Sequence, residues 1–155
     1  MDFTNFFAAV CAELATNLIQ IARKEYKEKK EKDQETVKEL KGSIGKIYDG
    51  YETDIVGAMG EQDGLHIEEV TEFFLSSNKD LGSLIESLNQ GKESVKHIFP
   101  KEVKNYVKMT ENLKEIYDFV ENWDTSGNRN ETAEKASELM DKYEDNLKKL
   151  DAILG

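Results

Sequence analysis

VKNYVKMTENLKEIYDFVENWDTSGNRNETAEKASELMDKYEDNLKKLDAIL, residues 103–154, is the stretch whose reading decides the fold. Val103, Tyr106, Val107, Leu113, Ile116, Tyr117 and Val120 recur at steps of three and four, the spacing that lines up one face of an α-helix. Trp123 falls near the end of that helix. Ala136, Met140, Tyr143, Leu147, Leu150 and Leu154 repeat the pattern, and the connector DTSGNRN offers Asn128 or Asn130 as an N-cap. Two amphipathic segments joined by a short polar loop predict an antiparallel helical hairpin.

Working back towards the N-terminus, every other apolar run has the same period. Leu81, Leu84, Ile85 and Leu88 define a short helix that Gly91 ends, and Pro100 marks the start of the next element. Ile67, Val70, Phe73 and Phe74 set the inward face of a helix over about 66–77, with Glu68, Glu69 and Glu72 outward. Six glycines between Gly42 and Gly64 weaken helix propensity by up to ~1 kcal/mol each relative to alanine. They predict a helix of modest stability near 44–58 and a loop at Gly60–Gly64. Val37, Leu40, Ile44 and Ile47 bring the chain to the core.

The first helix is long. Phe3, Phe7, Val10, Leu14, Leu18 and Ile21 share a face, with Cys11 beside them as a packed core thiol and Phe6 widening the apolar arc. Residues 24–35, KEYKEKKEKDQE, alternate in sign and have nothing to bury except Tyr26. They read as a solvated helix or extension held by pairs four apart. No strand-like alternation, tandem repeat or linker composition interrupts the chain. The expectation is one all-α domain over 1–155, a bundle of about five to six helices.

The chain carries 32 acidic and 21 basic side chains, a formal charge of −11, which argues against a direct nucleic-acid or anionic-membrane binder. The charge is concentrated. Residues 49–78 hold eight acids and no Lys or Arg, while residues 1–48 carry nine bases and eight acids. Phe3–Ala22 begins with Asp2 before it and lacks a basic leader, so a signal peptide is not expected. Glu13, Asn17 and Gln20 interrupt it, so a spanning helix is not expected either. With a single cysteine and no disulfide, the expectation is a cytoplasmic protein.

Searches for chemistry give little. Asn122, Asp124, Ser126 and Gly127 match the first half of a calcium loop, but Ala133 stands where the closing bidentate carboxylate belongs. Around Asp63-Gly64 the equivalent position is Val70. The all-α nucleotide pyrophosphatases pair Glu-x-x-Glu on one helix with Glu-x-x-Asp on the next, converging on magnesium. Here Glu69/Glu72, Glu115/Asp118 and Glu121/Asp124 have these forms, but their separation is about twice what a helical hairpin needs. His66 and His97 lack the paired Glu-x-x-His pattern of diiron bundles and read as surface residues. No phosphate loop or nucleophile elbow is present, so no catalytic residue, metal ligand or cofactor is assigned.

The leading functional expectation is a non-enzymatic acidic protein that binds and occludes a basic, nucleic-acid-binding partner, in the manner of inhibitors, immunity proteins and nucleic-acid mimics. The partner-binding set is Asp49, Tyr51, Glu52, Asp54, Glu61, Asp63, Glu68, Glu69 and Glu72, with Tyr51 as an aromatic anchor among the carboxylates. The alternative is an architectural or adaptor bundle that forms a homodimer, through Phe3, Phe6 and Phe7 or through the C-terminal hairpin. A metal-dependent nucleotide hydrolase ranks third.

Overall fold

The structure is a computed structural model that describes residues 3–56 and 67–155, with the side chains of Val56 and Ile67 left out of account. Among the described residues there are five α-helices and no strand. They are α1 (Phe3–Tyr51), α2 (Ile67–Gln90), α3 (Lys92–Ile98), α4 (Val103–Glu121) and α5 (Arg129–Ile153). A π-helical turn, Glu52–Val56, continues α1. The expected loop at Gly60–Gly64 lies outside the described residues.

The C-terminal hairpin forms as its spacing requires. Tyr106, Leu113, Ile116 and Val120 of α4 and Ala136, Tyr143, Leu147 and Leu150 of α5 are all buried. Asn128 caps α5, its side-chain oxygen accepting from the backbone N–H of Asn130 at 2.9 Å. Trp123 lies just beyond the end of α4, its ring tilted against Phe119 at 5.5 Å.

Two expected helices, 66–77 and 81–88, are one. Val70, Phe74, Leu81, Leu84, Ile85 and Leu88 form a continuous buried stripe along α2. The apparent break was Asn78, a polar residue on that stripe. Its amide nitrogen donates to the Tyr117 carbonyl at 3.2 Å and to Glu121 Oε1 at 2.8 Å, which ties it to α4, while its buried Oδ1 accepts no hydrogen bond. After Gly91 the chain forms α3, a short helix the apolar pattern does not announce, buried through Val95. Pro100 sits in the turn before α4 rather than in its first turn.

The glycines of α1 do not end it. The helix runs unbroken through Gly42, Gly45 and Gly50, because Val37, Leu40, Ile44, Tyr51 and Ile55 lie on one stripe and are buried against α2, α3 and α5. Burying each such side chain contributes about 1.5–3 kcal/mol, more than the ~1 kcal/mol lost per glycine. At the far end, Lys41 Nζ donates to the backbone carbonyl of Gly155 and ties the last residue to α1.

Upstream of Asp33 the helix leaves the bundle. Every residue from Phe3 to Lys32 is exposed. The charged segment is a solvated helix, as its composition requires, and Lys27 meets Glu31 at 4.0 Å. The apolar face before it is not a core face: Phe3 is 78 % and Leu18 67 % exposed, and Cys11 is exposed rather than packed. The expectation that this stripe and its thiol are buried is therefore corrected. The stripe has the right period but no element of the bundle to meet.

Glycine matters where α1 passes the α2–α3 junction. A Cβ on Gly91 would stand 2.5 Å from Leu40 Cδ1, whereas a Cβ on Gly42 or Gly45 would meet nothing within 4 Å. Gly91→Ala is expected to destabilise the fold by about 1–3 kcal/mol through overpacking. Gly42→Ala and Gly45→Ala are each expected to stabilise it by up to ~1 kcal/mol. Urea denaturation of the three variants checks both signs.

Candidate interaction surfaces

The acidic stretch divides into residues that face solvent and residues that do not. Asp49, Glu52 and Asp54 are exposed at the end of α1 and in the π turn, and Glu68, Glu69 and Glu72 are exposed on the first turns of α2. Glu61, Asp63 and His66 lie outside the described residues. Glu68 Oε1 meets Arg129 of α5 at 3.3 Å, so one carboxylate of the set is already opposed by a base. No ion pair involves Asp49, Glu52, Asp54, Glu69 or Glu72 among the described residues.

Tyr51 is not an exposed anchor. It is 1 % exposed, with its ring 5.3 Å from Tyr143 and 5.9 Å from Phe73. The reason is register: Tyr51 continues the Leu40–Ile44 stripe, one heptad beyond Ile44, and so points into the bundle. Tyr48 is half-buried beside it, with Lys148 Nζ 5.9 Å from its ring centroid. Burial, then the nearby Glu144 carboxylate, Tyr48 and Asp141, pushes the Tyr51 phenol up to about 12. Burial also raises Tyr106, whose hydroxyl donates to the Leu88 carbonyl at 2.5 Å. Tyr143 is raised by burial first, with Asp80 and Tyr51 adding to it.

The charged segment does bury one group. Asp33 accepts from Ser94 Oγ at 2.8 Å on Oδ1, and its Oδ2 lies 3.0 Å from His97 Nδ1. His97 is exposed, as expected, and is also engaged with α1. Asp33 and His97 are 64 positions apart, and nothing in the local pattern of either pairs them. This contact sits where α1 emerges from the bundle.

Three of the carboxylates weighed for metal chemistry have other partners. Asp118 accepts from Lys114 at 2.8 Å, and Glu121 accepts from Asn78. Asp124 Oδ1 accepts from both the backbone N–H and the hydroxyl of Ser126, which holds its carboxyl below the ordinary value. The calcium-like loop is therefore a self-satisfied turn leading into the α5 cap. No group of three or more His, Cys, Asp or Glu side chains is placed to hold a metal ion among the described residues.

The remaining surface is the free N-terminal rod. On one side of it lie Phe3, Phe7, Val10, Leu14, Leu18 and Ile21, with the Phe3 and Phe7 rings stacked at 6.5 Å. The other side carries Asn5, Thr16 and Ile19, with Glu13 and Gln20 on one flank. Within the helix Phe3–Ile55 an 18-residue stretch is apolar and long enough to cross a membrane by those two criteria alone, and none of it is buried. On length and composition, then, Glu13, Asn17 and Gln20 do not exclude a span. The apolar residues of the C-terminal hairpin, in contrast, lie in the core or pack partly buried against it.

Comparison with protein-family models, curated proteins and solved structures finds no match to this chain.

Asp33→Ala leaves Ser94 and His97 without their acceptor and is expected to destabilise the bundle by about 1–3 kcal/mol, with Asp33→Asn less severe; thermal melts of both check this. The raised tyrosines favour the neutral form in the fold. Their stabilisation is complete below the ordinary phenol value of 10 and is lost as pH rises towards about 12 through Tyr51. Alkaline unfolding is expected to coincide with the rise of phenolate absorbance, and Tyr51→Phe to make the alkaline decline in stability shallower.

Proposed function

We propose that the protein is a non-enzymatic interaction module, an architectural or adaptor bundle that self-associates through its N-terminal helix and presents an acidic body. One observation carries this reading: a helix continuous with a well-packed bundle exposes Phe3, Phe6, Phe7, Val10, Leu14, Leu18 and Ile21 along one side. Soluble monomers rarely expose so contiguous an apolar surface, and a patch of this kind marks a binding site. Each of these side chains stands to gain about 1.5–3 kcal/mol on burial, which favours a docked state.

A second reading concerns the body. Asp49, Glu52, Asp54, Glu69 and Glu72 are exposed with no ion pair among the described residues, and the 30 residues from Asp49 to Asn78 contain no Lys or Arg. An unopposed field of this sign attracts and orients a basic protein surface. In this reading the partner is held by carboxylates alone, since Tyr51 is in the core.

Sedimentation velocity separates the two surfaces. Self-association that persists in high salt and disappears in a Phe7→Glu, Leu14→Glu double variant supports the helix reading, and a monomer at all concentrations overturns it. Reversing Asp49, Glu52 and Asp54 to Lys is expected to leave self-association and melting unchanged. It should abolish salt-sensitive retention of a basic protein from the native host. Retention that survives reversal removes the second reading.

A further inference from the structure

We infer that the partner of the N-terminal helix is the same helix of a second copy, running antiparallel about a two-fold axis at Ala12. This rests on the reading of that helix as the self-association element, and it adds the direction and register of the pairing.

The first argument is the seam. Phe3, Phe7, Val10, Leu14, Asn17 and Ile21 follow alternating steps of four and three, the spacing of a two-stranded coiled coil. Reversing the segment about residue 12 carries Phe3 onto Ile21, Phe7 onto Asn17 and Val10 onto Leu14. All six seam positions map onto seam positions, so an antiparallel copy can share the seam in this register. Asn17 is the one polar member, and in this pairing it faces Phe7 of the other copy at some cost in affinity.

The second argument is charge. In a parallel pair the same seam continues into the charged segment and stacks Lys24, Glu28, Glu31 and Glu35 each against its own copy. It also sets two acidic bodies side by side. Residues 1–32 hold six bases and five acids against a total of −11, so residues 33–155 carry −12 in each copy. In the antiparallel pair the overlap ends at Ile21, and the charged segments leave in opposite directions. At 1.5 Å per residue the two Asp33 positions, where each body begins, lie roughly 60 Å apart along the axis. That is many times the Debye length of about 8 Å in physiological salt, so the bodies do not feel each other.

The pairing makes two local statements. Cys11 is exposed and flanks the seam one residue from the axis. An antiparallel pair brings both thiols to the same flank, about 3 Å apart along the axis, whereas a parallel pair puts them on opposite flanks. Glu13 sits in the same relation on the other flank, so the antiparallel pair sets two like charges near the axis.

Sedimentation equilibrium and thiol cross-linking of the full chain test this. The expected result is a dimer that a short bismaleimide links through the native Cys11, and that Glu13→Gln tightens by about twofold. Leu14→Glu is expected to weaken it roughly a hundredfold or more. The variant Cys11→Ser, Ile21→Cys is expected to form no disulfide on oxidation, because the two sites lie about 27 Å apart along an antiparallel axis. A dimer that disulfide-bonds through position 21 and does not cross-link through Cys11 overturns the antiparallel pairing while leaving self-association standing. A monomer, including one that floats with phosphatidylcholine–phosphatidylglycerol vesicles, overturns both.

Discussion

The molecule depends on how firmly one half of α1 is clasped. From Asp33 to Ile55 the helix lies against α2, α3 and α5, with Leu40 seated over the bare backbone of Gly91 and Asp33 bonded to Ser94 and His97. Backbone hydrogen bonding is continuous through the charged segment to Phe3, so clasping one half orients the other. An isolated helix of this composition is marginal in water, because nucleation is costly and most helical stability in proteins comes from packing. Here the clasped half supplies the nucleus, and the solvated half extends from it. A 49-residue helix thus meets two environments: a core at one end and water at the other.

Much of this is legible in the chain, and the exceptions have physical causes. The α4–α5 hairpin reads directly because its apolar stripes are regular and its connector carries its own cap. α2 reads as two helices because Asn78 interrupts the stripe, and only the fold supplies the Tyr117 carbonyl and Glu121 that accept from its amide nitrogen. The glycines of α1 predict only a helix of modest stability over 44–58 because local propensity counts them singly, while the stripe through Leu40, Ile44, Tyr51 and Ile55 acts together. That same stripe contained the signal that Tyr51 is a core ring. Its neighbours in the sequence, Asp49, Glu52 and Asp54, suggested the opposite. Contacts between distant positions, such as Asp33 with His97, leave no trace in a local pattern.

The candidate surfaces were legible to different degrees for a related reason. Exposed carboxylates are set by the absence of bases over residues 49–78, which is a property of composition, and the described members of that set do face solvent. Apolar periodicity states only that a helix has a face to cover. It does not state whether the cover lies within the same chain. The stripes at 3–21 and at 37–55 are alike in spacing, yet one is bare and the other is core. What distinguishes them is the intervening run of charge, which carries the first stripe beyond the reach of the bundle.

A bare apolar helix on a strongly acidic body poses a problem that the distribution of charge itself addresses. Apolar side chains on a free helix are nonspecific, and without a restraint they promote open-ended association. Repulsion between bodies of charge −12 is short-ranged in physiological salt and acts only on arrangements that crowd them. Parallel pairs and larger clusters around one end of the rod do crowd them. A two-fold pair with the bodies at opposite ends does not, and its single seam uses both stripes at once. In the proposed assembly, therefore, the hydrophobic effect supplies the affinity and the acidic bodies select the geometry. The balanced charge of residues 23–35 keeps the rod helical and neutral between them. Adding bases to the body would weaken that selection without touching the seam, so the acidic excess has a structural role even where no basic partner is bound.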